Sequence, residues 1–459
     1  MSESVTNLRR NKVTLWRLVI GGALIVGIPF IAFVILFVYW KVSVARELAA
    51  FKEEARAQGF PVTIEELNAW YPAVPDEENA ALVYEEAFAL MEAAGPEYDF
   101  YLELGDARNL DKRLQAYPAD LKARARKYIE TRAPVLVKLE EASKLEQARY
   151  SVDYREADKP YPNRWTNTRE GARVLILAAE LALLNGDTAQ ATDRFVQLMA
   201  LSRSVGCDPN LVTQMNRGAV DEMALDALER ALSSAEFNAQ QLQALDTAWA
   251  NAHQPDAIMR SMAGARCWET AMTDALCRGE AYARDSFVSK HMPFWLRVMP
   301  RWAVTTWGNY KQLELYRRYE GRIHGSNPDW LALHANAPTI AQKKAARYTD
   351  PAFFVATLTQ PFVRDEATFR LARTLLAVEQ YRVDYGALPE SLEDCVPDYV
   401  PAEVVVDPYN GKTLGYLKND HGGYKVYTVF EDVKDDGGNE RRVVGGTSFV
   451  GDWVFTVQR

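Results

Sequence analysis

Histidine and cysteine are scarce in this 459-residue chain, with five of one and four of the other. His253, His291, His324, His334 and His421 form no HExxH and no i, i+4 pair, which excludes a helix-borne zinc site of that kind. Cys207, Cys267, Cys277 and Cys395 form no CxxC, which excludes the common zinc spacing and a thioredoxin-type redox motif. Cys267 and Cys277 flank "WETAMTDAL", a stretch without Gly or Pro that reads as helix. Ten helical residues separate their Cα atoms by about 15 Å, well beyond the ~7 Å a disulfide spans, so no bond is predicted between them. A G-x-S-x-G elbow, a P-loop and a dinucleotide fingerprint are also missing. "GGTSFVG" (445–451) lies between strand-like runs and lacks the strand–turn–helix setting of a nucleophile elbow. Acidic pairs such as Glu65/Glu66 and Glu140/Glu141 fall on predicted helix surfaces. No catalytic residue and no organic cofactor site is assigned, and the chain is not predicted to be an enzyme.

Long apolar runs are absent except at the start. "LVIGGALIVGIPFIAFVILFVYW", Leu18 to Trp40, is 23 residues without a charge. As a helix it reaches about 34 Å, enough for a hydrocarbon core of about 30 Å. Trp16, Tyr39 and Trp40 mark its ends as interfacial aromatics do. Tyr39-Trp40-Lys41 follows where a cleaved signal peptide would show small residues, so an uncleaved anchor is expected. Arg9, Arg10, Lys12 and Arg17 precede the run, which places residues 1–17 in the cytoplasm and 41–459 outside it. "VLILAAELALL" (174–184) is too short to cross again and contains Glu180, so a single span of the inner, cytoplasmic membrane is predicted. Ala23 and Gly27 make a weak small-xxx-small face.

Positive charge is deficient in the exported part. Setting aside the four basic residues and one acid of residues 1–40 leaves 49 Lys and Arg against 61 Asp and Glu, a net of −12. That balance disfavours nucleic acid and anionic lipid surfaces as partners.

What is present is mostly helical pattern. "KVSVARELAAFKEEARAQG" continues the membrane helix as a charged stalk (41–59) that stops at Gly59. Thr63 and Glu66 fit a capping box, and Asp76 is expected to open a helix running to Gly95. Pro134 suits a first helical turn. In "ARVLILAAELALLNGDTAQATDRFVQLMALSRSVG", Asn185-Gly186 closes one helix, Asp187 caps the next, and Ala191, Phe195 and Leu198 carry its stripe. This hairpin resembles one tetratricopeptide repeat; without a second copy at a 34-residue period it reads as an antiparallel helix pair. In "HMPFWLRVMPRWAVTTWGNY" (291–310), Trp295, Trp302 and Trp307 alternate with Arg297 and Arg301. Such a segment suits a partner groove or a membrane interface, and equally a core.

Near the end, "VRDEATFRLARTLLAVEQYRVDYG" is an amphipathic helix with Gly386 at its left-handed close. "LPESLEDCVPDYVP" is a turn that packs Leu388, Leu392, Val396 and Tyr399 back onto that helix. A meander follows, with turns at Asn410-Gly411 and Asp420 to Gly423, a strand carrying Tyr424, Val426, Thr428 and Phe430, and a closing strand "GDWVFTV". Glu431, Asp432, Asp435, Asp436, Asn439 and Asp452 gather hard oxygen ligands around Gly437-Gly438, the type Ca²⁺ takes, or form a solvated acidic turn beside Arg441-Arg442.

The order of Tyr381, Gly386, Pro389, Asp407, Pro408, Tyr416, Tyr424, Asp435, Asp436, Gly437, Gly438, Gly451 and Asp452 closely resembles the globular part of type II secretion major pseudopilins. The resemblance covers about the last 100 residues, implies a small α+β fold, and implies Ca²⁺ in the acidic loop. The N-terminus departs from that family: it has neither the Gly-Phe cleavage site nor the Glu early in the membrane helix, and some 300 residues intervene. Pro75 to Ala80, "PDEENA", resembles a family of bacterial single-span proteins of uncharacterised activity.

The expected architecture is mostly α. It comprises a tail (1–17), a transmembrane helix (18–40), a stalk (41–59), a helical domain with hairpins (60–345) and a pseudopilin-like α+β domain (346–459). The expected role is a membrane-anchored, extracytoplasmic binding or scaffolding protein with protein partners. The alternatives are a subunit of a secretion or pilus-like assembly, and a hydrolytic enzyme built from scattered residues.

Overall fold

The structure, a computed structural model, describes residues 2–94, 113–152, 154, 164–280, 301–323, 329–335, 351–419, 421–444 and 448–459. Gly95, His291, Trp295, Arg297, His324, Asp420 and residues 445–447 lie outside them, as do the side chains of 1–26 and of Arg301 and Trp302. The chain is mostly helical, with a small antiparallel sheet at its C-terminal end. It divides into two compact units, residues 1–60 with 269–317 and residues 61–268 with 318–459.

The first unit is built on helix α1, Ser2–Ala57. Between Ile28 and Tyr39 its large apolar side chains are exposed except for half-buried Phe37; Phe30, Phe33, Ile35 and Leu36 each expose more than 60%. Leaving such side chains in water forgoes about 1.5–3 kcal/mol apiece, so this stretch is built for an apolar solvent. The helix is long and apolar enough to cross a membrane. The pattern then narrows to one stripe, with Val44, Leu48 and Ala55 buried and Phe51 partly so. Spacings of four, three and four residues put these on one helical face. That face is covered rather than free: the Phe51 ring lies 6.5 Å from that of Tyr316, and Lys52 donates to Gln312 at 3.1 Å.

The second unit begins with α2, Ile64–Trp70, whose cap follows the sequence: Thr63 Oγ1 accepts from Glu66 N at 3.1 Å. Asp76 does not open the next helix. Asp76–Glu78 is a single 3₁₀ turn, and α3, Ala80–Ala94, starts behind Asn79, whose side chain accepts from Ala81 N and Arg149 N. Asn79 wins because its short amide reaches the first free helical amides while also holding a distant strand-like segment. Then come α4, Ala119–Thr131, and α5, Ala133–Ser143, with Pro134 in the first turn of α5. The hairpin of α6, Arg164–Leu184, and α7, Thr188–Ser204, is joined through Gly186 at φ +78° and capped by Asp187, which accepts from Gln190 N at 2.9 Å. Ala191, Phe195 and Leu198 are fully buried. Helices α8, Leu211–Ser234, α9, Ala239–Ala252, and α10, Ala257–Arg278, follow. Residues 269–278 of α10 and 301–317 of α11, Arg301–Ile323, belong to the first unit; α12, Trp330–Ala335, and α13, Pro351–Tyr385, belong to the second.

Helix α13 buries Val363, Ala367, Leu371, Leu375 and Val378 completely and closes on Gly386 at φ +67°. After a 3₁₀ turn at Leu392–Cys395, strands β1, Gly415–Lys418, and β2, Tyr424–Thr428, form a hairpin. Strands β3, Arg442–Val444, and β4, Ser448–Val450, pair with each other, and β5, Trp453–Val457, returns against β2 to give the order β1-β2-β5. The strand expected to run through Phe430 stops at Thr428. Buried Asp407 takes the Thr428 hydroxyl at 2.8 Å and the Val429 amide at 2.9 Å, and Phe430 turns into a 3₁₀ turn. One hydrophobic core runs from the helix hairpins into the sheet, joining Leu225 and Leu228 of α8 to Val426, Trp453 and Phe455. The C-terminal end is sewn to α8 by Thr456 N on Glu229 (2.6 Å) and Gln458 N on the Ser233 hydroxyl (3.1 Å). None of the four cysteines is in a disulfide; buried Cys267 donates to Pro61 O at 3.2 Å.

Candidate functional site

The acidic loop is built around buried Asp452. Its two oxygens accept from Gly438 N at 2.7 Å and Asp436 N at 3.2 Å, and burial pushes its carboxyl above the ordinary value against those amides. Asp435 accepts from Gly437 N (2.9 Å) and the Tyr427 hydroxyl (3.3 Å). Asp432 accepts from Lys434 N and Gly451 N at 3.2 and 3.3 Å, and Asp436 pairs with the Lys434 ammonium. Asn439 donates to Asp436 O, while Glu431 turns away to Arg364 at 2.7 Å. The structure thus brings five of the six residues to one turn and sends the sixth elsewhere. Their oxygens face backbone amides and cations, and among the described residues no group of three or more His, Cys, Asp or Glu side chains is arranged to hold a metal ion.

The turn beside it is strained. Phe430 and Val433 have φ +57° and +58°, a conformation that a β-branched valine in particular avoids. Cations hold it in place: the Arg441 guanidinium lies 4.7 Å from the Phe430 ring and 4.5 Å from that of Trp453, and Arg364 lies 5.3 Å from Phe430. Arg441 also reaches Glu222 of α8 at 3.1 Å. This cluster fastens the sheet to α8 and α13.

Sequence reading missed a buried charge cluster. Arg217, completely buried on α8, pairs with Asp221 at 2.8 Å and with Asp365 of α13, and it donates to Gln214 at 3.0 Å. Asp221 accepts from the Ser202 hydroxyl at 2.5 Å. Burial pushes the Asp221 carboxyl up to about 7, with Arg217 opposing. Gln214 donates in turn to the carbonyls of Val205, Gly206 and Asp208, tying down the α7–α8 connection. The signal was a polar row at helical spacing, Gln214, Arg217 and Asp221, but α8 carries polar residues on its other faces as well, Glu222, Glu229 and Arg230 among them, so the row did not stand out. Nearby, His253 stacks on Phe369 at 3.7 Å and meets Glu366 at 2.8 Å.

The open site lies elsewhere, on the outer face of α7 between α5 and α9. Two adjoining hollows of about 410 and 610 Å³ share Ser143 and Val196. The floor of the smaller is apolar, made by Val196, Met199, Ala200, Ala244 and Ala248. Alanine at 244 and 248 of α9 leaves the room a larger side chain would fill. The rim carries Gln240, Gln243, Thr247 and Asn251, exposed amides and a hydroxyl that both donate and accept. In the larger hollow Glu140 faces Lys144 at 3.3 Å and Arg194 at 3.7 Å, and Asp187 and Asp193 add two further carboxylates to the lining. Volumes of this order with an apolar floor and a few polar groups suit a ligand or a bound chain segment. No sequence motif announced it, because it arises where three helices from residues 133–252 meet. Of the tryptophans singled out from the sequence, Trp307 is described and packs beside Ala275, Leu276 and Val304.

No protein-family profile, curated protein or solved structure matches the chain.

Proposed function

We propose that this chain is a membrane-anchored, extracytoplasmic binding or scaffolding protein of the bacterial envelope that holds a partner's polypeptide segment in the furrow over α7. The observation that carries the reading is the furrow itself: preformed, open, apolar along its floor and lined by amide side chains that match a peptide backbone in both donors and acceptors. The exposed apolar stretch of α1 supports the anchor. Arg9, Arg10, Lys12 and Arg17 before it support an outward body, and the acidic balance of the rest supports protein rather than nucleic-acid partners.

A second reading, a subunit joining a secretion or pilus-like assembly, is favoured by one observation. Residues 351–459 run as a long helix, a compact turn and an antiparallel sheet, the order that the pseudopilin resemblance implies.

Reporter fusions and intact mass test the anchor and its orientation. An intact N-terminus and a periplasmic reporter active after Arg459 are expected; loss of residues up to about Tyr39, or a cytoplasmic reporter active after Arg459, overturns the reading. Affinity purification of the detergent-solubilised chain then separates the two readings by whether secretion-assembly subunits or other proteins are recovered.

A further inference from the structure

Helix α11 stands against α1 where the apolar stretch ends. The Tyr310 ring lies 6.0 Å from that of Trp40, and the Lys311 ammonium lies 5.7 Å from the Tyr310 ring centre. A few residues on, Arg317 pairs with Glu47, and Lys52 donates to Gln312 at 3.1 Å. On its other side α11 packs on α10: Val304 meets Ala275 and Leu276, and Cys277 donates to Val304 O at 3.4 Å.

Helical rise turns these contacts into depths. Twenty-one residues from Leu18 to Val38 span about 32 Å, which fills a hydrocarbon core of about 30 Å and leaves Tyr39 and Trp40 at its outer boundary. Val44, the first buried residue after the span, lies four residues beyond Trp40, or about 6 Å along the axis. The headgroup layer on one side of a bilayer has about that thickness. The folded unit therefore begins inside the headgroup layer, and there is no length of bare helix to serve as a stalk. The Tyr310 ring, 6.0 Å from that of Trp40, lies within that distance of its depth.

We infer that α11 is a second membrane contact: Tyr310 joins Tyr39 and Trp40 in an interfacial aromatic belt, with Lys311 in the headgroup layer, so that this unit rests on the lipid surface rather than standing off it. The occupant of that face is the bilayer that surrounds α1, and the inference rests on the membrane reading of α1. Aromatic rings with one polar end are the side chains that settle at this depth, and the Lys311 ammonium beside them pairs with Glu314 at 2.6 Å, one turn further along α11.

Photo-crosslinking of the full-length chain in vesicles of mixed phosphatidylethanolamine and phosphatidylglycerol tests it. The photo-amino acid p-benzoylphenylalanine replaces Tyr39, Tyr310, Lys311 or Glu53 in turn. Glu53 lies on the exposed side of α1, about 20 Å beyond Trp40 and clear of the headgroups. Lipid adducts at 310 and 311 within about threefold of those at 39, and at least about tenfold above those at 53, are the expected result. Adducts at 39 with none at 310 or 311 overturn the inference and leave the anchor standing. No adducts at 39 remove the membrane reading and the inference together. The replacement keeps an aromatic ring at 310, and the Lys311 position repeats the test should that variant lose its fold.

Discussion

Gly308 of α11 approaches Cys277 of α10 so closely that a Cβ added to the glycine would stand 2.4 Å from the sulfur. The helices cross at that point with no room for a methyl group. Gly308→Ala is expected to destabilise the chain by about 1–3 kcal/mol, the usual cost of overpacking a filled interface. Removing the sulfur should relieve it, so that Gly308→Ala with Cys277→Ala is less than the sum of the two single losses. Denaturant unfolding of the four proteins in detergent, read as a double-mutant cycle, checks this; strict additivity would mean the helices simply separate.

Asp221 sets a pH dependence whose sign can be worked out. Its carboxyl is raised from an ordinary 3.8 to about 7 by burial among Arg217, Asp365 and Ser202. A raised acid contributes stability that is present below about pH 4 and is lost as pH climbs towards 7, because the folded state holds a proton the unfolded state has released. Glu366 acts the other way. Burial opposes ionisation there, but contacts with His253 and Arg370 hold its carboxyl below the ordinary value. The comparison must therefore be with Asp221→Asn, which leaves Glu366 in place. The parent is expected to lose stability relative to this variant between pH 4.5 and 7.5; a difference constant across that window would contradict it.

Local signals in the sequence were legible and long-range ones were not. The apolar stretch after Leu18, the Asp187 cap and the Gly386 close depend on neighbours within a few residues, and each stands as read. Asp76 failed as a helix start because Asn79 is also recruited by residue 149, seventy positions away. Phe430 failed as a strand residue because Asp407 claims Val429 and ends the ladder. The stripe Val44, Leu48, Phe51 is one face of the stretch read as a stalk, and what covers it is not written nearby: Tyr316, against Phe51, lies more than 200 residues later. Arg217 and Asp365 are 148 residues apart, and neither has a local pattern that names the other. The furrow is a space between helices, so no residue spells it.

Calcium at the acidic loop is a proposal drawn from the residues and the resemblance, and the arrangement sets its terms. An ion would have to draw Asp452 from the amides of Gly438 and Asp436, and Asp436 from Lys434. If it binds, millimolar Ca²⁺ raises the unfolding midpoint of the full-length protein relative to EDTA, and the response disappears in Asp435→Ala/Asp436→Ala. An unchanged midpoint leaves a hydrogen-bonded turn and removes the metal.

The furrow over α7 is the centre of the account, and crosslinking from its rim in native membranes tests it most directly. With p-benzoylphenylalanine at Gln243 or Thr247, irradiation should give a discrete protein adduct that is absent when the label is at Lys127, exposed on α4. Ala244→Arg, which fills the floor with a charged side chain, should lower the adduct by at least about tenfold while leaving the unfolding midpoint unchanged. Equal adducts at Lys127, or adducts at 243 and 247 indifferent to Ala244→Arg, would contradict a binding role for this furrow.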